Sequence, residues 1–344
     1  MIRAPRFRVG ALLALLAIPG IASAWSGVQH IQITRYAARN LPPEMAGFRE
    51  FAHPMALPSI YPDLWRLADL DEAPRHYFEP DRLPEDFDYT ALSSDPAIAF
   101  SEQIPIRRDI IGDAPWAIYD LMNQMSEAMR TNDWMWAARC GATLSHYAGD
   151  LHVPLHTTRN YNGQESWQHG IHTRWEADMV KAFLRTDDIE PRPAEYLENP
   201  FQAIFEWTAE SAVCAREVLK ADLIAKRAAG GQVETESYYL KLWELTGDMA
   251  IERISAAAHH VASLWYTAWV NAGKPAIPEP FDELPTLSVH SGVGIDYPEQ
   301  VGPHAFAKER TFDWVIWITF IIFGLVVIIS SIQRSIQSRK NRGT

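Results

Sequence analysis

Between residues 146 and 176 the chain places five side chains of the kind that hold a divalent metal. His146 and Asp150 are four positions apart, His172 and Glu176 are four apart, and His156 lies between the pairs. In a helix, positions i and i+4 share a face, so each pair offers an imidazole nitrogen and a carboxylate oxygen side by side. That donor set suits zinc. Pro154 ends the first helix near Val153, which leaves His156 just past the end and able to turn toward the same cavity. Zinc held there would lower the pKa of a coordinated water. Upstream, Asp63 stands in Tyr61-Pro-Asp63-Leu-Trp-Arg66, His76 in Arg75-His76-Tyr-Phe-Glu-Pro80, and His30 follows Trp25-Ser-Gly-Val-Gln. Each of these is weak alone. No GxSxG, P-loop or HExxH competes with them.

The elements that must carry these residues are helical. Apolar residues recur at three and four in Ile106–Arg130, Asp133–Asp150, Thr173–Leu184, Pro200–Leu223 and Ser237–Asn271, and no run of alternating strands occurs. The last stretch meets Gly273 and Pro275, a helix stop. The expected fold is all-α: one helical domain over 25–272. Residues 273–313, rich in proline, glycine and acids, lack helical period and read as a tether.

The two ends read as addresses. Residues 1–24 have an arginine-rich start, an apolar stretch and the small-x-small signal Ala22-Ser23-Ala24, as a cleaved export signal does. Cleavage there makes Trp25 the new N-terminus. Residues 314–332 hold no charge, and at 1.5 Å per residue they span about 28 Å, close to a bilayer core. The tail 333–344 is basic, which places it in the cytoplasm. The expected topology is an exported domain on one C-terminal membrane helix, on the periplasmic side of the inner membrane in a Gram-negative cell. The chain has 344 residues, and its net charge of −12 becomes −19 over residues 25–313, because both ends are basic. So acidic a surface is a poor trap for nucleic acid, and no stable nucleic-acid complex is expected. Cys140 and Cys214 are the only cysteines; a disulfide and two buried thiols both remain open.

Taken in order, these residues resemble the zinc-dependent phospholipase C superfamily, which also contains the secreted single-strand-specific zinc nucleases. The resemblance is close over about residues 25–185. It implies a mainly helical fold around three zinc ions. On that resemblance Asp63, His76, His146 and Asp150 hold the first ion, and His156, His172 and Glu176 the second. The third takes the free amine and carbonyl oxygen of Trp25, with His30 and a bridging Asp150. Asp63 is the implied proton acceptor, with Asp69 a rival for its place. The remaining histidines receive ordinary readings: His152 beside the site or in solvent, His169 in a loop near it, at most one of His259 and His260 facing the cavity, and His53, His290 and His304 in loop or linker.

Within the superfamily, Glu176 in place of aspartate, the short step from His156 to His172 and the phrase HGIHTRWE favour the phospholipase branch. The five-residue step from Trp25 to His30 is the nuclease spacing. Val28, Leu64 and Ala73 stand where the choline pocket of the bacterial phospholipases has an acid and two aromatics. The expected function is a membrane-anchored zinc-dependent phosphodiester hydrolase, phospholipase C-like, acting on a phospholipid. The alternatives are a single-strand-specific nuclease or nucleotidase and a non-catalytic zinc-binding protein.

Overall fold

A computed structural model describes residues 27–292. The expected leader, Trp25, residues 293–313 of the tether, the apolar segment 314–332 and the basic tail lie outside the described residues. Five helices dominate: α1 (Gly27–Asn40), α2 (Ala114–Arg130), α3 (Trp134–Leu151), α4 (Pro200–Ala228) and α5 (Glu236–Asn271). Among the described residues there is no strand, and no helix is long and apolar enough to cross a membrane.

The sequence sets the helix starts locally. Asp133 accepts a hydrogen bond from the Trp136 backbone N–H at 3.0 Å and caps α3. Asn199 accepts from Gln202 at 3.3 Å ahead of Pro200 at the start of α4. The Thr235 hydroxyl accepts from Tyr238 at 3.3 Å at the head of α5. Each side chain satisfies a donor that the first helical turn leaves unpaired.

Helix α3 is the central element, packed against α1, α2 and α5. Every residue from Cys140 to Leu151 is buried, so the helix has a wet face only near its start. Small residues make that possible. A Cβ on Gly141 would lie 2.8 Å from the Met55 methyl and 3.2 Å from the Trp265 indole nitrogen, and that nitrogen donates to the Gly141 carbonyl at 3.1 Å. Cys140 is an unbridged buried thiol and Cys214 an unbridged half-buried one.

The expected helix over Ile106–Arg130 is broken at Gly112. A short turn, Arg108–Ile111, precedes it and α2 follows. Gly112 has φ 88° and ψ 163°, and a Cβ there would lie 2.0 Å from the Tyr77 carbonyl oxygen. Only glycine fits that conformation and that gap. The close approach pins the segment bearing His76: Asp113 N–H donates to the Pro74 carbonyl at 2.9 Å, and Glu79 N–H to Ile111 at 2.8 Å.

Residues 273–292, expected to begin the tether, instead lie along the domain. Phe281 meets Phe51 edge-on at 5.3 Å. The Trp65 indole donates to the Thr286 carbonyl at 2.9 Å, and Arg139 donates to the Leu287 carbonyl. Val289 packs on Ile60, Tyr61 and Trp65. Proline and acids hide the helical period here, but the interspersed Ile277, Phe281, Leu284 and Val289 supply apolar anchors.

Gly112→Ala should cost about 3 kcal/mol or more, the sum of a glycine-only backbone and a steric clash. Denaturant unfolding checks this; a loss under about 1 kcal/mol, within the scatter of surface changes, would mean that Gly112 is not the hinge described.

Candidate metal centre

Seven buried or nearly buried ligand-type side chains and one at the opening meet at the lower end of α3. His146 and Asp150 project from one face of α3, as their spacing requires. His30 comes from α1, and its ring stacks on that of His146 with centroids 3.9 Å apart. Gly149 allows this approach, since a Cβ there would stand 3.2 Å from His30 Nδ1. Asp63 sits on the short helical turn Tyr61–Trp65 and His76 at the end of Ala73–His76.

In the first cluster, Asp150 Oδ2 lies 2.9 Å from His76 Nδ1 and 3.4 Å from His146 Nε2. Those two nitrogens are 3.1 Å apart, and Asp63 Oδ1 is 3.9 Å from both. Ligands about 2.0–2.1 Å from a tetrahedral zinc stand about 3.3 Å from one another, so the cluster has the right size. Asp150 Oδ1 faces the other way, 3.3 Å from His30 Nε2. In the second cluster, Glu176 Oε2 lies 2.9 Å from His172 Nε2 and 3.7 Å from His156 Nε2.

The donor atoms are pre-aimed. His146 Nδ1 pairs with the Ser59 carbonyl at 2.7 Å and His156 Nδ1 with the His76 carbonyl at 2.6 Å, so both rings turn Nε2 inward. His76 does the reverse: Nδ1 faces the cluster and Nε2 stands 3.6 Å from Glu72 Oε1. The Tyr147 hydroxyl donates to the same carboxylate. The second pair begins at Gly170, φ 84°, and runs into a π-helical stretch, Arg174–Met179, a form often found at functional sites. Beneath it, buried Arg174 donates to Asp222 at 3.0 Å and to the His169 carbonyl at 2.7 Å.

The residues fit a cation. His30 Nε2, Asp150 Oδ1, His156 Nε2, His172 Nε2 and both Glu176 oxygens are buried without a hydrogen-bond partner. A buried polar atom left unmatched costs about 1–3 kcal/mol, and so many at one place need a ligand to satisfy them. Electrostatics agree. Burial, with His30 and His76 nearby, holds His146 well below the usual imidazole value. Burial pushes the Asp150 carboxyl up, but the imidazoles of His146, His156, His30 and His76 around it outweigh that and hold it well below its ordinary value. Burial lowers His172 to about 4 and raises Glu176 to about 8.

The structure thus brings together His30, Asp63, His76, His146 and Asp150, and separately His156, His172 and Glu176; Trp25 lies outside the described residues. Asp69 is not the ligand-side acid: its carboxylate accepts from the Asp71 N–H at 2.9 Å. His152 is fully buried and pairs with the Ala148 carbonyl at 2.6 Å and with His260 at 2.7 Å. Two residues escaped the sequence reading. Glu72 stands four before His76, the spacing of the other pairs, and that signal was there to use. His290, expected in loop or linker, stacks on Tyr147 at 6.0 Å; across a sequence separation of 143 no local pattern shows it.

A family model described as zinc dependent phospholipase C matches residues 29–213. Nothing among curated proteins matches. Similar solved structures include the alpha-toxin of Clostridium perfringens avian strain SWCP, 14% identical, covering 73% of this chain and 65% of that one with a TM-score of 0.43. The alpha toxin of Clostridium absonum is 15% identical, with 70% and 65% covered and a TM-score of 0.38. The chain spans less than two thirds of the length of either toxin.

Because Glu72 orients His76 without touching the cluster, Glu72→Gln should fold and yet bind zinc about 10–100-fold more weakly. Competition with a chromophoric chelator reads this; unchanged affinity would remove Glu72 from the site.

Proposed function

The chain belongs to the zinc-dependent phospholipase C family, and we propose from that premise that it is a phosphodiester hydrolase acting on phospholipid at a trinuclear zinc centre. The observation that carries the reading is the convergence of eight ligand-type residues, from six separate segments, on zinc-sized clusters. Asp63, His76, His146 and Asp150 would hold the first ion, His156, His172 and Glu176 the second, and His30 and Asp150 the third with the amine and carbonyl of Trp25. Zinc there supplies a water of lowered pKa and positive charge for the phosphate oxygens and the leaving alkoxide.

The chain's own residues do the rest. Asp150 turns one oxygen to His76 and His146 and the other to His30, so it would serve both of the neighbouring ion positions. Asp63, whose side chain is 13% exposed while the other ligands are 0–6% exposed, stands at the opening. It takes the proton of the attacking water on its carboxylate. The products are diacylglycerol and a phosphorylated head group. Glu176 and the short 156–172 step favour this branch, and Val28, Leu64 and Ala73 argue against a choline cage. The proposed organisation is an exported helical domain over 25–272, with 273–292 packed on it, anchored by 314–332, with 333–344 in the cytoplasm. The Trp25–His30 spacing favours a nuclease, and the same experiment distinguishes it.

That experiment uses the full chain with its Trp25 terminus, zinc-loaded, in parallel on mixed phospholipid micelles and on single-stranded RNA, with and without chelator. Chelator-sensitive release of phosphorylated head groups is expected; release of nucleotides instead moves the protein to the nuclease branch. His146→Ala should abolish the first site and lower turnover by at least about a thousandfold, roughly 4 kcal/mol of barrier. An extra methionine before Trp25 should drop the zinc content from three ions to two, read by elemental analysis. Three ions retained would refute the amine ligand.

A further inference from the structure

The loop between the two ligand-bearing segments holds a side chain that folding alone does not explain. Trp167 is 86% exposed, and its φ of 59° puts it in the left-handed region that non-glycine residues rarely adopt. The loop around it is firmly built. Asn160 bonds to Ser166 at 2.9 Å and accepts from the Glu165 N–H at 2.8 Å, and Gln168 N–H donates to Gly163 at 2.9 Å. Next to Trp167, the Gln168 side chain is buried, and its amide donates to Asp222 and to the Leu219 carbonyl, both at 2.7 Å. The indole is therefore held out in water by a rigid frame.

Its position is at the site. Trp167 stands five residues before His172, and Tyr161 of the same loop, 40% exposed, has its ring 5.9 Å from that of His172. On the chain leaving Asp63, Leu67 and Leu70 are 62% and 91% exposed. Apolar side chains thus follow or precede ligands of both clusters. The loop is electrically neutral: between 157 and 170 its charged residues are Arg159 and Glu165, paired at 3.1 Å. An acidic domain with a neutral, aromatic loop does not match an anionic bilayer. It does match a zwitterionic one, where indole settles at the boundary of head groups and acyl chains.

We propose that the Trp167 loop docks the domain on a zwitterionic phospholipid surface and sets the mouth of the metal centre against the head groups. The inference rests on the phospholipid reading above. The test uses the zinc-loaded full chain reconstituted in vesicles of equimolar phosphatidylcholine and phosphatidylethanolamine, with brominated phosphatidylcholine as quencher of tryptophan emission. Wild type should show a quenched component of emission that is missing in Trp167→Phe. Trp167→Ser should hydrolyse vesicle lipid about tenfold more slowly, stay within about twofold of wild type on a monomeric short-chain phospholipid, and be rescued by Trp167→Phe. Equal quenching in wild type and Trp167→Phe, with Trp167→Ser as active as wild type on vesicles, overturns docking while leaving the phospholipase reading intact. A quenched component that depends on Trp167, with no lipid turnover at all, supports docking and sinks that reading. A Trp167→Ser defect seen on single-stranded RNA and not on vesicles overturns docking in favour of base stacking.

Discussion

The carboxylate of Asp150 holds the molecule's organisation together. It is fully buried, and its two oxygens face different partners: Oδ2 toward His76 at 2.9 Å and His146 at 3.4 Å, Oδ1 toward His30 at 3.3 Å. Three segments far apart in the chain, α1, the turn ending at His76 and α3, therefore meet at one anionic group. A lone carboxylate in that place would be untenable, because burial strongly disfavours its charge. Surrounding imidazoles hold it below its ordinary value; His146 and His156 are turned by backbone carbonyls and His76 faces Glu72 on its other side. The arrangement is one of mutual need, completed by a cation.

Much of the surrounding structure serves to keep those few atoms aimed. Gly149 and Gly141 remove side chains where α1 and α5 must come close. Gly112 lets the His76 segment pack on the start of α2. Glu72, below its ordinary carboxyl value because His76 and Tyr147 outweigh the upward push of burial, steadies the one ring that presents Nδ1. On the far side, the Arg174–Asp222–Gln168 network fixes the entry to His172 and Glu176. Residues 285–290 brace the same region from behind, through Trp65 on the Asp63 turn and Tyr147 beside Glu72. The stretch that leads toward the proposed anchor is thus in contact with the support of the first cluster.

The two clusters differ in charge before any ion binds. Neighbouring imidazoles hold the Asp150 carboxyl of the first well below its ordinary value, while burial pushes the Glu176 carboxyl of the second up to about 8.

The sequence by itself determined the helices and the chemistry. Periodicity marks α3, α4 and α5 because amphipathic and capping signals are local, and His146–Asp150 and His172–Glu176 are legible because an i, i+4 pair shares a helix face wherever the helix goes. The resemblance supplied His30, Asp63 and His76, which no local rule could rank above other polar residues. Tertiary structure alone decided the rest. It split the expected helix at Gly112, where a carbonyl from another segment crowds the position. It folded 273–292 onto the domain, because a few apolar anchors find a groove that composition does not reveal. It recruited His290 and Glu72 behind the ligands, paired His152 with His260 away from them, and set Trp167 out in water. Each of those outcomes depends on which distant segments come to touch, and contact between distant segments is what a one-dimensional pattern does not encode.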